Sequence, residues 1–326
     1  MQILAEVRSN LDLAAAVEAE LTTPNRMLPP RWGDVSLSGE NEAVASWFGS
    51  LLRREFRACE GDVLLARKLG RGARPLSLLG LKERLLYRGV TSLIESASNM
   101  MSVDRSHTAY VAFQNAPLTV NDCSYVFKTD IAAYYQYIDH ERLVDEIVAQ
   151  TGDDLAASVV VDLLSEVMGR AYGLPQLSFA SDTLAEIYIE PMRRALVRSG
   201  FPVARFADDL RIACKTYAEA LLAWEIADGA ARELGLVLNE IKTSTPSKEH
   251  YAASLTAARD QERDLFAALD VEDLDEPEYI DESPEPEAET ESFDLTGADD
   301  FEEGEIIDAL PHEVTTTQVT ARKESN

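Results

Sequence analysis

The chain has 326 residues, of which 46% are hydrophobic, and its 58 acidic and 30 basic residues give a formal net charge of −28. This apolar content is sufficient for a substantial core, which argues against a chain that is disordered throughout. No apolar run is long enough to cross a membrane, and three scattered cysteines form no disulfide framework or zinc motif, so we expect a soluble, cytoplasmic protein.

Helical apolar spacing dominates residues 1–70, which we interpret as a helical N-terminal region. The spacing predicts one helix over Leu11–Leu21 and another over Glu42–Leu69. Residues 74–98 begin as a short extended segment and continue as an amphipathic helix. The next segment, Tyr110–Val120, is typical of a strand, with Pro117 at an edge or a turn.

Strands and helices alternate from about residue 124 onward. Tyr125–Ile131 predicts one strand, and Val203–Cys214 predicts a β-hairpin that turns at Ala207 and Asp208. Apolar spacing and turn residues predict helices over His140–Gln150, Leu155–Met168, Ser178–Val197 and Tyr217–Leu234, and a short strand over Leu236–Leu238. The pattern indicates an α+β fold in which a small antiparallel sheet is backed by helices.

The negative charge is concentrated at the C-terminal end of the sequence. Residues 271–320 contain 19 Asp or Glu and no Lys or Arg. Subtracting these from the 58 acidic residues leaves 39 against 30 basic ones, a net charge of about −9 for the rest of the chain. A segment of Asp, Glu, Pro, Ser and Thr cannot bury enough apolar surface to offset its conformational entropy, so we predict a disordered acidic tail over residues 271–326.

Two segments place carboxylates where strands end. The apolar strand from Tyr125 leads into Asp130, and Asp208 and Asp209 are adjacent at the tip of the predicted hairpin. Aspartate suits turns, so a pair of them in a turn is weak evidence for catalysis. Hard oxygen ligands on rigid strands are nevertheless what Mg²⁺ needs, and two such ions can stabilise the attacking and leaving oxygens of an in-line displacement.

A third segment, Gly173-Leu174-Pro175-Gln176-Leu177-Ser178, is a tight loop that leads into a helix. By itself it indicates an ordinary helix N-terminus with a serine cap. In their order and spacing, however, the three segments resemble the palm of reverse transcriptases, and the resemblance covers roughly residues 70 to 250. The matching motifs are the first catalytic motif at Lys128–Leu143, the LPQG-serine motif at Gly173–Leu184, the aromatic-x-Asp-Asp hairpin at Val203–Leu210 and the following asparagine–lysine–threonine segment at Gly235–Thr243.

The resemblance implies a role for each matching residue. Asp130, Asp208 and Asp209 would be the catalytic carboxylates that bind two Mg²⁺ (or Mn²⁺) ions, and Lys242 would approach the leaving pyrophosphate. Tyr135, five residues after Asp130, would be the steric gate that favours deoxynucleotides over ribonucleotides. The other nucleotide-binding residues implied are Arg74, Arg84, Ile131, Gln176 and Ser181. Taken singly, each of these is more simply a core or surface residue.

The chain also departs from the family pattern. Leu177 stands where the family usually has glycine, and Phe206 stands where it usually has tyrosine. No primer-grip hairpin is recognisable after Thr243, so the thumb is expected to be reduced or absent. We therefore divide the chain into a helical region (1–70), a fingers-like region (71–122), a reverse-transcriptase palm (123–250), a helical remnant of a thumb or connector (251–270) and the acidic tail.

The function that the resemblance implies is RNA-directed DNA synthesis from dNTPs, with an RNA template and a DNA product and no membrane. Arg74-Pro75-Leu76 and Lys82-Glu83-Arg84 resemble finger motifs of bacterial members. Together with the missing thumb and RNase H segments, they indicate the types associated with antiphage defence or abortive infection. Because an acidic chain is a poor phosphate binder, we expect a second protein subunit or a noncoding RNA to supply duplex binding. The alternatives are template-independent nucleotide addition, a catalytically inactive polymerase-like scaffold, and a retron or diversity-generating enzyme.

Overall fold

The computed structural model describes residues 5–22, 31–54, 56–67, 72–98 and 104–268, with side chains as far as Gln261. The acidic tail predicted over 271–326 lies outside the described residues, as do the last two residues of the predicted remnant over 251–270. Within the described ranges, none of the helices is both long and apolar enough to cross a bilayer.

Short helices come first in the chain. They are α1 (Ala5–Asn10), α2 (Leu13–Thr22), α3 (Trp32–Ser36) and α4 (Asn41–Leu52). The helix predicted over Leu11–Leu21 is confirmed as α2. Its residue Val17 is fully buried in the same apolar cluster as Phe48 of α4, so α2 and α4 share one core.

Two antiparallel strands follow, β1 (Asp62–Arg67) paired with β2 (Ala73–Leu78). The prediction of one helix over Glu42–Leu69 is therefore wrong for the described residues beyond Leu52, where α4 ends, and residues 55, 68 and 69 lie outside the described ranges. Backbone pairing with a later strand overrides the local apolar spacing, which does not by itself distinguish a short apolar strand from a helix. β2 leads into α5 (Leu81–Ala97), which confirms the extended segment and helix predicted for residues 74–98.

The prediction of a strand over Tyr110–Val120 is wrong as well. The segment belongs to α6 (His107–Asn115) and a 3₁₀ turn that follows it. Tyr110 and Phe113 lie one helical turn apart, and both rings pack against the ring of Phe206 at centroid distances of 5.2 and 5.9 Å. These aromatic side chains, which suit a strand, here form the buried face of a short helix.

The central sheet has the order β3-β5-β4 and is antiparallel throughout. Its strands are β3 (Tyr125–Thr129), β4 (Val203–Phe206) and β5 (Asp209–Cys214). The predicted hairpin is confirmed, with Phe206 opposite Asp209 and the turn at Ala207 and Asp208. The strand predicted over Leu236–Leu238 is wrong, since only Leu238 forms a single bridge, opposite Ile131.

Helices cover the sheet and complete an α+β fold. The four helices predicted after residue 140 are confirmed as α8 (His140–Thr151), α9 (Asp154–Met168), α10 (Phe179–Arg198) and α11 (Tyr217–Glu233). The single turn α7 (Tyr134–Tyr137) lies between β3 and α8, and α12 (Lys248–Ala268) follows the sheet region. Phe127 of β3 stacks on Trp224 of α11 with ring centroids 6.0 Å apart, which joins the sheet to the helical layer.

Candidate active site

The register of the central sheet places the predicted catalytic aspartates at one end. Thr129, the last residue of β3, lies opposite Leu210 of β5. Asp130 follows Thr129 directly, and Asp208 and Asp209 precede Leu210 at the hairpin tip. In antiparallel strands these positions meet at the same edge of the sheet, although they are about 80 residues apart in sequence.

Asp130 is only 4% exposed, and its two carboxylate oxygens differ. Oδ2 accepts a hydrogen bond from Nδ2 of Asn239 at 3.0 Å and lies 3.5 Å from Nζ of Lys242. Oδ1 is buried and accepts no hydrogen bond from any residue that the structure describes. An unpartnered buried carboxylate oxygen costs free energy, so this atom is suited to a ligand that supplies positive charge.

The segment that carries Asn239 and Lys242 is anchored to the end of β3. The Asn239 amide donates to the Asp130 carbonyl at 2.8 Å, and the hydroxyls of Thr129 and Thr243 are 2.7 Å apart. These contacts hold the asparagine–lysine–threonine segment against the end of β3. We had assigned no role to Asn239 from the sequence, where its place before the lysine–threonine pair was the available signal.

Asp209 is the first residue of β5 and is paired with arginine. Its Oδ1 accepts a hydrogen bond from Nη1 of Arg211 at 3.0 Å, and both residues are 8% exposed. The guanidinium of Arg211 also lies over the ring of Phe113, 5.1 Å from its centroid. Burial acts to lower the pKa of Arg211, but the negative charge of Asp209 raises it above its usual value. Arg211 was missed from the sequence, although alternation along β5 puts it on the same face as Asp209.

Asp208 occupies the turn itself and is half-buried. The residue before it, Ala207, has a φ of +51°, a left-handed conformation that lets the two-residue turn close. Burial is the main reason that the pKa of Tyr135 is raised well above its usual value, and the charges of Asp182 and Asp208 raise it further. The charge of Asp208 also acts to raise the pKa of Arg105, so Asp208 lies within electrostatic reach of both Tyr135 and Arg105.

The donor set fits a divalent cation at Asp130. Its unpartnered Oδ1 is a hard oxygen, and the carboxylate of Asp208 extends from the adjacent hairpin tip. No group of three or more His, Cys, Asp or Glu side chains in the described part of the chain has the spacing of a metal site. The third predicted ligand, Asp209, is the one held by Arg211.

Tyr135, the predicted gate, lies on α7 directly after the end of β3. Its hydroxyl donates to Oδ1 of Asp182 at 2.6 Å, and its ring meets the ring of Tyr134 edge-on at 5.5 Å. Ala133, with a φ of +49°, turns the chain so that both tyrosines point toward α10. Asp182, which we had not singled out from the sequence, is six residues after Gln176 in the first turn of α10.

The loop before α10 is fixed by backbone hydrogen bonds. The amides of Gly173 and Leu174 donate to the carbonyls of Ile138 and Tyr135, each at 2.7 Å. Gly173 has a φ of +91°, and an added Cβ would lie 3.1 Å from the Gln136 carbonyl oxygen, so glycine is required there. Leu177 has a φ of +61°, so it keeps the left-handed conformation that glycine favours at this position of the family motif.

The remaining predicted nucleotide-binding residues occupy varied surroundings. Gln176 is half-buried in the loop before α10, and Arg74 is half-buried on β2. The side chain of Ser181 is in the core, where its hydroxyl is 2.9 Å from that of Tyr87, and the side chain of Ile131 is 1% exposed. The side chains of Ser181 and Ile131 are therefore not exposed to a nucleotide.

Arg84 is engaged by the N-terminal helices. Its guanidinium donates to both carboxylate oxygens of Asp34 at 2.7 Å and to Glu20 at 3.2 Å. Arg88, one turn further along α5, also donates to Glu20 at 3.1 Å. A role for Arg84 with a triphosphate would require the phosphate oxygens to replace these carboxylates.

A comparison with protein families identifies the chain. The model of a family described as reverse transcriptase (RNA-dependent DNA polymerase) matches residues 66–273, more than half of the chain. No curated protein matches it. The matched residues include β3, the β4–β5 hairpin and the loop before α10, which carry the residues described above. The chain therefore belongs to the reverse transcriptase family.

Proposed function

We propose that the chain is an RNA-directed DNA polymerase that adds dNTPs to a primer 3′ end by two-metal nucleotidyl transfer. The observation that supports this most is the buried Oδ1 of Asp130, which has no hydrogen-bond partner among the described residues, at the sheet edge that Asp208 and Asp209 share. Burial of a carboxylate oxygen without a partner does not stabilise a fold, whereas a cation site requires such an atom.

Each residue around Asp130 has a distinct part in this proposal. Asp130 and Asp208 hold the divalent cations, which when bound neutralise the charge on the attacking and leaving oxygens. Asn239 orients the Asp130 carboxylate through its 3.0 Å hydrogen bond. Lys242 places a positive charge, or a proton to donate, beside the leaving pyrophosphate. Asp209 anchors the hairpin through Arg211 and completes the acidic pair.

Nucleotide recognition is assigned to residues of the motifs that follow β3 and of the fingers-like region. Tyr135 would exclude a ribose 2′-hydroxyl, and Gln176 would contact the nucleotide or the template. Arg74 and Arg84 would bind the triphosphate, because the planar guanidinium matches phosphate oxygens in a bidentate way. For Arg84 this binding competes with Asp34 and Glu20.

We also propose that the enzyme works in bacterial antiphage defence together with a second protein subunit or a noncoding RNA. The net charge of about −9 outside residues 271–320 is opposite in sign to that of most nucleic-acid binders. A partner that contributes basic groups would supply the phosphate contacts from which most of the affinity for a duplex comes.

A catalytically inactive scaffold is the competing function. It is favoured by the contacts that already occupy two of the three aspartates, Asp209 with Arg211 and Asp130 with Lys242. The two proposals differ in their consequence for Asp208, because an inactive scaffold has no need of its carboxylate.

Nucleotide incorporation tests the proposal. The full chain, purified together with any protein or RNA that binds it, is given a primed RNA template and dNTPs with Mg²⁺ or Mn²⁺, and labelled product is measured. Asp208→Ala is expected to abolish incorporation, whereas Asp228→Ala, which removes an exposed ion pair with Arg232 on α11, leaves it unchanged. Product made without a template identifies untemplated addition. Equal incorporation by the wild type and Asp208→Ala, or none by either, contradicts the catalytic assignment.

A further inference from the structure

One contact near the proposed site links the gate residue to a carboxylate of a different motif. Oδ1 of Asp182 accepts the hydroxyl proton of Tyr135 at an oxygen–oxygen distance of 2.6 Å. The two residues are 47 positions apart in sequence, and both are half-buried. A hydrogen bond to a carboxylate at this distance is among the stronger ones in proteins.

We propose that Asp182 is a positioning residue for sugar selection: its carboxylate holds the Tyr135 ring where the ring excludes a ribose 2′-hydroxyl. The inference rests on the proposed polymerase function. It assigns to Asp182 a role in specificity, distinct from binding the nucleotide or the cations.

Hydrogen bonds hold both the backbone and the hydroxyl group of Tyr135. Its carbonyl accepts a hydrogen bond from the Leu174 amide at 2.7 Å. A tyrosine side chain has two rotatable bonds, so a fixed backbone still leaves the ring able to swing. The hydrogen bond to Asp182 removes this freedom by anchoring the far end of the ring. Rejection of one extra oxygen atom requires a rigid surface, because a ring that yields makes room for it.

The helix that carries Asp182 is itself held at this point. The hydroxyl of Tyr134 donates to the Ala185 carbonyl at 2.5 Å, one turn along α10 from Asp182. The carboxylate of Glu186, in the same turn, forms an ion pair with Nη2 of Arg105 at 2.8 Å and another with Arg205 of β4. The first turns of α10 are thereby tied to α7 and to the strand that leads to Asp208, so Asp182 is a stationary anchor.

The electrostatic surroundings of Asp182 fit its proposed role in holding the Tyr135 ring. Burial raises the pKa of its carboxyl group, and the positive charge of Arg105 together with the Tyr135 hydroxyl acts in the opposite direction. Asp208 is close enough to influence both Arg105 and Tyr135. The anchored ring therefore lies within electrostatic reach of the carboxylate to which we assign a cation.

Sugar discrimination tests the inference. The ratio of kcat/KM for a dNTP to that for the matching rNTP is measured on a primed RNA template. Because both nucleotides are compared on one preparation, the ratio does not depend on the fraction of active protein. Asp182→Ala and Tyr135→Phe are each expected to lower it about tenfold, equivalent to about 1.4 kcal/mol. The ratio for the double variant should fall no further than the ratio for either single variant, because both changes break the same contact.

Two further variants separate positioning from general damage to α10. Asp182→Asn keeps an acceptor oxygen of the same shape and is expected to retain most of the discrimination. Glu190→Ala, two turns further along α10, removes a surface pair with Arg193 and should leave the ratio unchanged.

The outcomes distinguish the inference from the proposed function. If the wild type incorporates no nucleotide, the polymerase proposal fails and the inference falls with it. Incorporation with an unchanged ratio in Asp182→Ala and in Tyr135→Phe overturns the inference alone. Additive decreases of the ratio in the double variant also overturn the inference. So does a decrease of the ratio in Asp182→Asn that is as large as the decrease in Asp182→Ala.

Discussion

Two buried aspartates at the sheet edge differ in how their charge is balanced. Asp209 has a buried arginine at 3.0 Å, while Asp130 has one oxygen shared by Asn239 and Lys242 and one that accepts no hydrogen bond within the described part of the chain. A paired buried carboxylate contributes to the fold, and an incompletely paired one costs free energy that a bound cation would offset. The two residues should therefore respond differently to substitution.

Replacement of Asp130 should remove a cation-dependent gain in stability. Millimolar Mn²⁺ is expected to raise the melting temperature of the wild type, because a ligand that binds the folded state stabilises it. Asp130→Asn should abolish that increase, and the exposed Asp122→Asn should retain it. Thermal melts with and without Mn²⁺ measure both. A cation effect of equal size in wild type and Asp130→Asn would contradict the assignment of the cation to Asp130.

Replacement of Asp209 should instead destabilise the protein. Asp209→Ala leaves Arg211 buried without its partner, and loss of one member of a buried pair costs about 3–5 kcal/mol. The matched control is Asp122→Ala, which breaks a pair whose side chains are 71% and 65% exposed and should cost less than about 1 kcal/mol. Urea unfolding gives both values. Equal decreases in the free energy of unfolding for Asp209→Ala and Asp122→Ala would mean that the ion pair does not anchor the hairpin.

At the scale of the elements, one buried histidine joins α8 to the loop that precedes α10. Nε2 of His140, the first residue of α8, is 2.8 Å from the Gly173 carbonyl oxygen, and Nδ1 is 3.3 Å from the Ser165 hydroxyl of α9. Nε2–H donates to the carbonyl, which leaves Nδ1 to accept from the serine. Burial lowers the pKa of His140 from 6.5, so the folded state favours the neutral ring.

The stability of the fold should therefore depend on pH through His140. Above pH 6.5 the ring is neutral in both states, and as the pH falls below this value the unfolded chain binds the proton first. The free energy of unfolding is expected to fall there, by at most about 1.4 kcal/mol per pH unit. His140→Gln keeps a donor without titrating and should reduce the slope between pH 7.5 and 5.5, and the exposed His107→Gln, which removes a histidine elsewhere, is the matched control. Identical slopes in all three proteins would exclude His140 as the cause.

At the scale of the whole molecule, charge is the property most at odds with nucleic-acid binding. Most of the excess negative charge is carried by residues 271–320, which follow the described part of the chain. A chain that ends at residue 270 loses 20 acidic and 2 basic residues, which leaves 38 against 28 and a net charge of about −10. Repulsion of phosphates by the remaining chain should be much weaker.

The shortened chain is expected to bind an RNA–DNA duplex more tightly than the full chain at 50 mM salt. The difference should disappear near 0.5 M salt, because exposed charges are screened over a few ångströms there. Fluorescence anisotropy across a salt series measures it. The urea unfolding midpoint of the described core should not change. A gain in affinity that persists at high salt would show that residues 271–326 weaken duplex binding by a mechanism other than charge repulsion.

The sequence by itself determined the family, the central sheet and hairpin, and the helices from His140 onward, because their motifs and apolar periods are local. It did not determine β1 or α6, because the spacing of apolar residues in these two segments is compatible with both a helix and a strand. Pairing with β2 makes the first a strand, and packing on Phe206 makes the second a helix. Only the tertiary structure decided which partner each aspartate has: Arg211 for Asp209, Asn239 and Lys242 for Asp130, and Tyr135 for Asp182. The physical reason is that hydrogen bonds and ion pairs depend on distances of about 3 Å between side chains that are mostly far apart in the chain, and the packing of whole elements sets those distances.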